Sequence, residues 1–458
     1  MKGTFRSIAM ALIVAAALLG TALSAFAVGI PVEPAGVPTT AFEPSDACYC
    51  HFTLSTEWAK SMHSKSLSDP VYIAKLAAGD KATGGKLSPF CKKCHGPGGT
   101  MTGEIAQGGA LSAGTAEGIN CSFCHQVSGL KPGLIGNTSQ LVEPGGAGGV
   151  RRAQLKDPKA PHKAQYSELH TKAEFCGACH NVMHPVNGMH LESTYNEWVK
   201  SPYAEKGIVC QDCHMSKRPG VRGPSSGQAA TGAPKRDNIY HMTFVGGNVA
   251  QSDPIAATEL LKSAAEIKLT VPEIVAPGQT ASATVTITNK GAGHYLPTGL
   301  TEVREMWLDV SAADASGETT TFGTHVFGTI LQDAKGNFPV ELWDATKIKS
   351  DDRIPPQGSV TYSYAFTMPA GVKANSVQAA LRYKSTPDKL AEEAGVKNPT
   401  TDMAVSTQAV YADQAAKDAA SKPSAPVKAS GIPVGIWIAI AAAVLVLGGA
   451  GFAIMRRA

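Results

Sequence analysis

The chain has 458 residues, enough for two or three domains, and a formal net charge of +4 at pH 7. Lys2, Arg6, Arg456 and Arg457 at the two ends account for that excess, because the remaining 37 basic residues balance 37 acidic residues. This balance excludes a strongly basic surface, so we expect no nucleic-acid partner.

The first 27 residues have the pattern of an export signal. Lys2 and Arg6 precede an apolar run that ends in "AFA" at 25–27, an A-x-A cleavage site. We therefore predict a signal peptide over residues 1–27, with a retained membrane anchor as the alternative. Ten cysteines in an exported chain usually suggest disulfides, so the spacing of the cysteines decides their chemistry.

Eight cysteines form four C-x-x-C-H motifs, the signature of c-type haem attachment. Two thiols add across the haem vinyl groups, and the adjacent imidazole binds the iron as proximal ligand. A zinc site would not need a histidine after every cysteine pair. The predicted attachment residues are Cys91, Cys94, Cys121, Cys124, Cys176, Cys179, Cys210 and Cys213. The predicted proximal ligands are His95, His125, His180 and His214.

The stretch "ACYCH" at 47–51 departs from this pattern, because Cys48 and Cys50 are separated by one residue. A disulfide within C-x-C would be strained, since neighbouring side chains of an extended chain point to opposite faces. We predict a fifth haem with His51 as proximal ligand, held through Cys50. Cys48 either forms a second thioether in distorted geometry or stays a thiol. The alternative is a degenerate motif; the prediction is five covalently bound haem c.

Four strings occur in an order that resembles the cytochrome c-554 family of multihaem cytochromes, which carry electrons from hydroxylamine oxidation. They are "EWAKSMH", "FCKKCHGPGG", "GINCSFCH" and "LHTKAEFCGACH", and the resemblance covers about residues 45–215. Eight histidines are not proximal, and each iron has a sixth position to fill. The resemblance implies His63, His162 and His170 as distal ligands.

The type member of that family has four haems, so "CQDCH" is a departure. "EWVKSPY" at 197–203 repeats "EWAKSMH" with Tyr203 in the place of His63, which suggests an internal duplication whose copy lost its ligand. The segment around His241 resembles the stretch after the last haem in larger relatives. The segment around His294 resembles sandwich domains fused to multihaem cytochromes. We predict His241 and His294 as the other distal ligands, with His184 and His190 as alternatives.

The domain organisation follows from changes in composition. Residues 28–252 are predicted as a loop-rich, mainly α pentahaem domain, whose haems supply the core that its few aliphatic residues cannot. Alternating strands predict an all-β, immunoglobulin-like sandwich over 264–411. Residues 412–431 are predicted as a flexible tether. The uncharged run 432–455 is predicted as a transmembrane helix, since it spans about 36 Å against a hydrocarbon core of about 30 Å.

The sequence thus predicts an electron-carrying cytochrome anchored by one span in the cytoplasmic membrane, with its N-terminal domains on the extracytoplasmic side. Its partners would be redox proteins or membrane quinol-linked complexes. The alternative is an oxidoreductase that acts on a nitrogen or sulfur oxyanion at a five-coordinate haem. We assign no catalytic residue, because no nucleophile or carboxylate pair accompanies a haem motif.

Overall fold

A computed structural model of the protein describes residues 29–314 and 316–421. The predicted signal peptide at 1–27 and the predicted transmembrane segment at 432–455 lie outside these residues. The described chain has a first part that carries the haem motifs and a second part built from long strands.

The helices of the first part are short, because glycine and proline end them early. In the helix Pro70–Thr83, Asp69 caps the first turn by accepting from the Val71 amide at 3.1 Å, and Gly84 ends the helix with φ of 63°. The α-helices are α1 (Phe52–Lys60), α2 (Pro70–Thr83), α3 (Leu87–His95), α4 (Pro97–Thr102), α5 (Glu104–Gln107), α6 (Ala113–Ala116), α7 (Cys121–Gln126), α8 (Ala173–Gly177), α9 (Thr194–Val199), α10 (Pro202–Glu205) and α11 (Cys210–His214).

Small sheets are interleaved with these helices, so the prediction of a mainly α first part is wrong. One sheet has the order β1-β3-β2, a parallel pair joins β4 and β5, and antiparallel pairs join β6 to β7 and β8 to β9. The strands are β1 (Ile30–Pro31), β2 (Val127–Leu130), β3 (Gln140–Val142), β4 (Arg151–Ala153), β5 (Ala164–Tyr166), β6 (Val182–Met183), β7 (His190–Glu192), β8 (Ser225–Gln228) and β9 (Lys235–Ile239).

The second part begins where helix α12 (Pro254–Ala264) runs directly into a strand. Two sheets, with strand orders β10-β11-β16 and β13-β12-β17-β18, are accompanied by the pair β14-β15. The strands are β10 (Ala265–Thr270), β11 (Thr280–Asn289), β12 (Glu305–Ala313), β13 (Thr319–Phe327), β14 (Thr329–Gln332), β15 (Lys347–Asp351), β16 (Ser359–Thr367), β17 (Ala374–Lys384) and β18 (Thr401–Tyr411). The remaining helices are α13 (Asp388–Ala394) and α14 (Gln414–Ser421), the latter at the start of the predicted tether.

The two parts bury very different cores. Ile287 of one sheet and Leu308 and Leu381 of the other are fully buried in a large apolar cluster between the sheets. The main cluster of the first part is small and contains Val32, Ala41, Phe42, Met101, Phe123, Val127 and Val142. The first part therefore has too few buried side chains for its length, as the sequence predicts.

The described helices bear on the membrane prediction, although the predicted segment 432–455 lies outside the residues that the structure describes. Within residues 29–314 and 316–421, no helix combines the length and the apolar character needed to cross a bilayer. The predicted fold class, with its transmembrane helix, and the predicted single-pass location in the cytoplasmic membrane are therefore corrected. Neither belongs to the proposals below.

Candidate haem sites

A single large cavity brings the predicted haem-attachment residues together. Its volume is about 1710 Å³, beyond the roughly 300–1,000 Å³ of a site for one small molecule. All ten cysteines and all five predicted proximal histidines line it, together with His63, His162, His170 and His294. Side chains of the second part, including Leu296 and Met306, close one side of the same cavity.

The proximal histidines share one arrangement, in which Nδ1 is occupied by an acceptor of the protein. His51, His95, His125 and His214 direct Nδ1 to the backbone carbonyls of Ala229 (2.6 Å), Ser66 (2.9 Å), Arg152 (2.7 Å) and Val245 (2.6 Å). His180 directs Nδ1 to the Glu192 carboxylate at 3.1 Å. Such a bond orients the ring and leaves Nε2 for a metal, so these residues fit haem iron.

Four proximal rings face a second histidine at the spacing that one iron requires. A metal–imidazole bond is about 2 Å and the ring centroid lies about 1 Å further, so two ligands of one iron have centroids about 6 Å apart. Each pair lies at that separation, which fits six-coordinate haem. The pairs and their centroid distances are His51 with His162 (6.2 Å), His63 with His180 (6.3 Å), His125 with His170 (5.9 Å) and His214 with His294 (6.3 Å).

Burial keeps most of these imidazoles neutral, the form that binds a metal. Burial, together with the neighbouring His180, His214 and His95, lowers the pKa of His63 to about 3. Burial also lowers the pKa of His170 to about 3 and that of His214 to about 4. His180 differs: burial lowers its pKa, but the Glu192 hydrogen bond and charge outweigh this and raise it to about 9.

The variant motif forms a tight turn. Residues Ser45–His51 are a 3₁₀ helix with a kink at Cys48, whose φ and ψ are −91° and 27°. Both Cys48 and Cys50 line the cavity. The kinked turn thus leaves both Cys48 and Cys50 among the residues that line the cavity.

His95 is the proximal histidine without a histidine opposite to it among the described residues. The Tyr72 ring lies flat against His95, with centroids 3.9 Å apart and planes within 9°. That spacing is too short to place an iron between the rings. The Tyr72 hydroxyl is buried and makes no hydrogen bond within the described chain.

His241 lies away from the proximal rings. Its Nδ1 contacts Glu57 at 2.7 Å and its Nε2 contacts Ser225 at 3.1 Å, so both ring nitrogens are engaged. This placement argues against the predicted role of His241 as a distal ligand. Of the alternatives, His184 lines the cavity, but its Nε2 contacts the Trp343 carbonyl at 3.2 Å. His190 lies exposed in β7.

The loop that carries His294 belongs to the second part and is held from both sides. Within its own part, Asn289 donates to the His294 carbonyl at 2.8 Å. Gly291 leaves no room for a side chain, because a Cβ at this position would lie 2.0 Å from the Ser263 carbonyl oxygen. From the first part, Glu197 accepts from the Tyr295 amide at 3.1 Å. Glu197 also pairs with Arg353, and both side chains are less than 10% exposed (5% and 9%). These contacts fix the orientation of the two parts around His294.

The structure supports the internal duplication. Trp58 donates to the Ile119 carbonyl at 2.9 Å, and Trp198 donates to the Ile208 carbonyl at 2.8 Å. In both copies the acceptor lies two residues before a C-x-x-C-H motif. Tyr203, which replaces the histidine in the second copy, donates to the Lys290 carbonyl at 2.7 Å. It thereby secures the loop of the second part that brings His294 to His214.

Contacts between cysteines give the order of the motifs in space. Cysteines of different motifs lie close together in three pairs: Cys48 with Cys121, Cys94 with Cys179, and Cys176 with Cys210. Cys124 lies near both Cys176 and Cys179. The motif that contains His180 is therefore central, with three motifs around it, and the variant motif lies beyond the one that contains His125.

Sequence reasoning missed Glu192, Glu197 and Tyr72. Glu197 could have been noticed, because "EW" is part of the duplicated string. No sequence pattern around Glu192 or Tyr72 indicates their contacts with His180 and His95.

Comparisons with known proteins bear on the class of the protein. The family described as "Cytochrome c554 and c-prime" matches residues 47–126. A penta-heme cytochrome c552 from Thermochromatium tepidum is 22% identical, with a TM-score of 0.59, over 81% of this chain and 100% of that chain. The CARDB domain of a Pyrococcus furiosus protein is 16% identical over 32% of this chain and 84% of that chain, but its TM-score of 0.18 supports no conclusion. No curated protein matches the chain.

The motifs, the family match and the shared fold together support a multihaem c-type cytochrome. Covalent haem c and redox partners follow from that class. The number of haems, the immunoglobulin-like character of the second part and the ligand of each iron stay predictions.

Proposed function

We propose that the protein is a pentahaem electron carrier that exchanges electrons with redox partner proteins. The observation that carries this proposal is the placement of a second histidine about 6 Å from four of the five proximal rings. When bound, the haems supply a one-electron iron couple. The paired histidines would hold four of the irons through two imidazoles each, and such ligation would suit electron transfer.

The residues of the chain have separate roles in this function. The cysteines fix each macrocycle, and the Nδ1 hydrogen bonds hold each proximal ring in one orientation. The sulfur contacts around the central motif bring neighbouring attachment sites into contact, which gives a continuous route. Exposed aromatic residues beside the variant motif, Tyr49 (77% exposed) and Phe52 (69%), suggest that this end of the route is accessible to a partner.

Low-temperature electron paramagnetic resonance tests the proposal. We expect low-spin signals for four irons in the native protein, and conversion of one iron to high spin in each of H63A, H162A, H170A and H294A. His325→Ala is the matched control, since His325 bonds Tyr362 inside the second part. A native spectrum dominated by high-spin iron, or ligand variants that match the control, would reject the electron-carrier proposal.

One observation favours a second candidate function at a single site. His95 has no histidine opposite to it among the described residues, and Lys75, Lys86 and Lys93 line the cavity with it. An open iron position would suit a small anion such as a nitrogen or sulfur oxyanion, with Lys86 as a cation that forms no ion pair in the described chain, whereas Lys75 pairs with Glu341 and Lys93 with Glu33. Nitrite or cyanide should then perturb one high-spin signal only. If every iron is low-spin and neither anion changes the spectrum, this second candidate is excluded.

A further inference from the structure

The central haem motif has a feature that the other four lack, and it involves the acceptor of the proximal Nδ1 hydrogen bond. Four proximal histidines, all within the described chain, bond to a backbone carbonyl. His180 alone bonds to a carboxylate, that of Glu192. The acceptor is thus a full negative charge at one site and a neutral dipole at the others.

The chain builds this contact locally and buries its carboxylate end, while the His180 side chain, which lines the cavity, is 54% exposed. Immediately after "CGACH", β6 and β7 form a tight antiparallel pair in which Val182 is opposite Glu192. The Tyr195 amide donates to the His180 carbonyl at 3.0 Å, and the Thr194 hydroxyl donates to Glu192 at 3.3 Å. The Glu192 side chain is 14% exposed. Both ends of the hydrogen bond are therefore fixed, and water screens the carboxylate only weakly.

We propose that Glu192 tunes the central site by lowering the reduction potential of the haem bound through His180. This inference rests on the proposed electron-carrier function. A carboxylate that accepts the Nδ1 proton increases the basicity of the imidazole, and a more basic ligand stabilises the ferric state. Hydrogen bonding to an axial ligand and local burial are two means by which a protein sets a haem potential.

The step concerned is the gain and loss of one electron. The electron arrives from a neighbouring haem and leaves to another, while the Nδ1 proton stays on His180 in both states. No atom is transferred and no other reactant is required. Because three motifs surround the central one, a lower potential there makes the junction a point through which electrons pass without accumulating.

The test is a spectroelectrochemical titration of the intact holoprotein and its E192Q variant. Glutamine can accept the same hydrogen bond but carries no charge. We expect one midpoint potential to rise so that its redox equilibrium shifts at least tenfold, which is about 59 mV for a one-electron couple. The other potentials should be unchanged, and the g-values of one low-spin signal should move.

Glu57→Gln is the matched control, since Glu57 also bonds a histidine, His241, that faces no proximal ring. Five unchanged potentials in E192Q, or an equal shift in E57Q, would overturn the tuning role. If E192Q does not accumulate with full haem content, Glu192→Asp is measured instead. Asp retains the charge but lengthens the contact, so a smaller rise at the same haem is expected, and no rise rejects the inference.

The two proposals fail in different measurements. Failure of the electron-carrier function appears in the native protein, as high-spin iron or absent redox exchange with partner proteins. Failure of the tuning role appears only when E192Q is compared with a native protein that behaves as an electron carrier.

Discussion

The first and second parts of the chain have different kinds of core. In the second part, alternating residues of two sheets bury a continuous set of aliphatic side chains. In the first part, short helices and small sheets surround a cavity lined by cysteines and histidines. Hydrophobic burial by its own residues can stabilise the second part, whereas the first part depends on the cofactors that it binds. We therefore expect one cofactor-dependent and one cofactor-independent fold in the same chain.

The largest expected effect comes from removing the haems. A chain produced without covalent haem attachment should lose the structure of the first part and retain that of the second. Limited proteolysis with mass spectrometry should then yield a protected fragment close to residues 265–411, and hydrogen exchange should be fast across 29–252. Equal protection of both parts in the haem-free chain would contradict the comparison.

A core substitution tests whether buried aliphatic side chains stabilise the second part. Leu381→Ala removes a fully buried side chain and should cost about 2–5 kcal/mol of the free energy of unfolding of the sandwich. Denaturant unfolding followed by far-ultraviolet circular dichroism measures this cost. Val405→Ala, at a half-exposed position of β18, is the control and should cost much less. The haem absorption spectrum should be the same in both variants.

The contact between the parts should show an intermediate effect. Glu197→Ala leaves Arg353 buried with Asp351 as its remaining partner at 2.8 Å, and should cost about 1.5–3 kcal/mol. Because Glu197 also holds the Tyr295 amide, a fraction of one haem should become high-spin. Arg382→Gln disrupts two partly exposed pairs, with Asp309 and Asp402, and should cost about 1 kcal/mol or less. An unchanged spin state in E197A would show that the His294 loop does not need Glu197.

The smallest effect is expected at His241. His241→Ala removes a hydrogen bond to Glu57 and should cost about 1 kcal/mol of stability. No iron should change its spin state, in contrast to His63→Ala, which should convert one. Thermal unfolding and electron paramagnetic resonance of the two variants give the comparison. Conversion of an iron in H241A would restore His241 to the distal ligands.

The sequence alone determined the chemistry of the first part and the type of the second. Four C-x-x-C-H motifs are local patterns, because the two thiols and the proximal imidazole of one haem lie within five residues. The alternation in β11 (Thr280–Asn289) is equally local, since successive side chains of a strand face opposite sides. Order of motifs also pointed to His63 and His170 through a family resemblance.

Only the tertiary structure decided which histidines face each other. His63 lies far in the chain from His180, and His294 reaches His214 from another part of the protein. Sequence spacing cannot distinguish His294 from His241, because the loops between them are irregular and have no periodic pattern. The proposed role of Glu192 also depends on the tertiary structure, because a turn of the chain places its carboxylate beside the imidazole of His180. Motifs define what each residue can bind, and packing defines with which partner it binds.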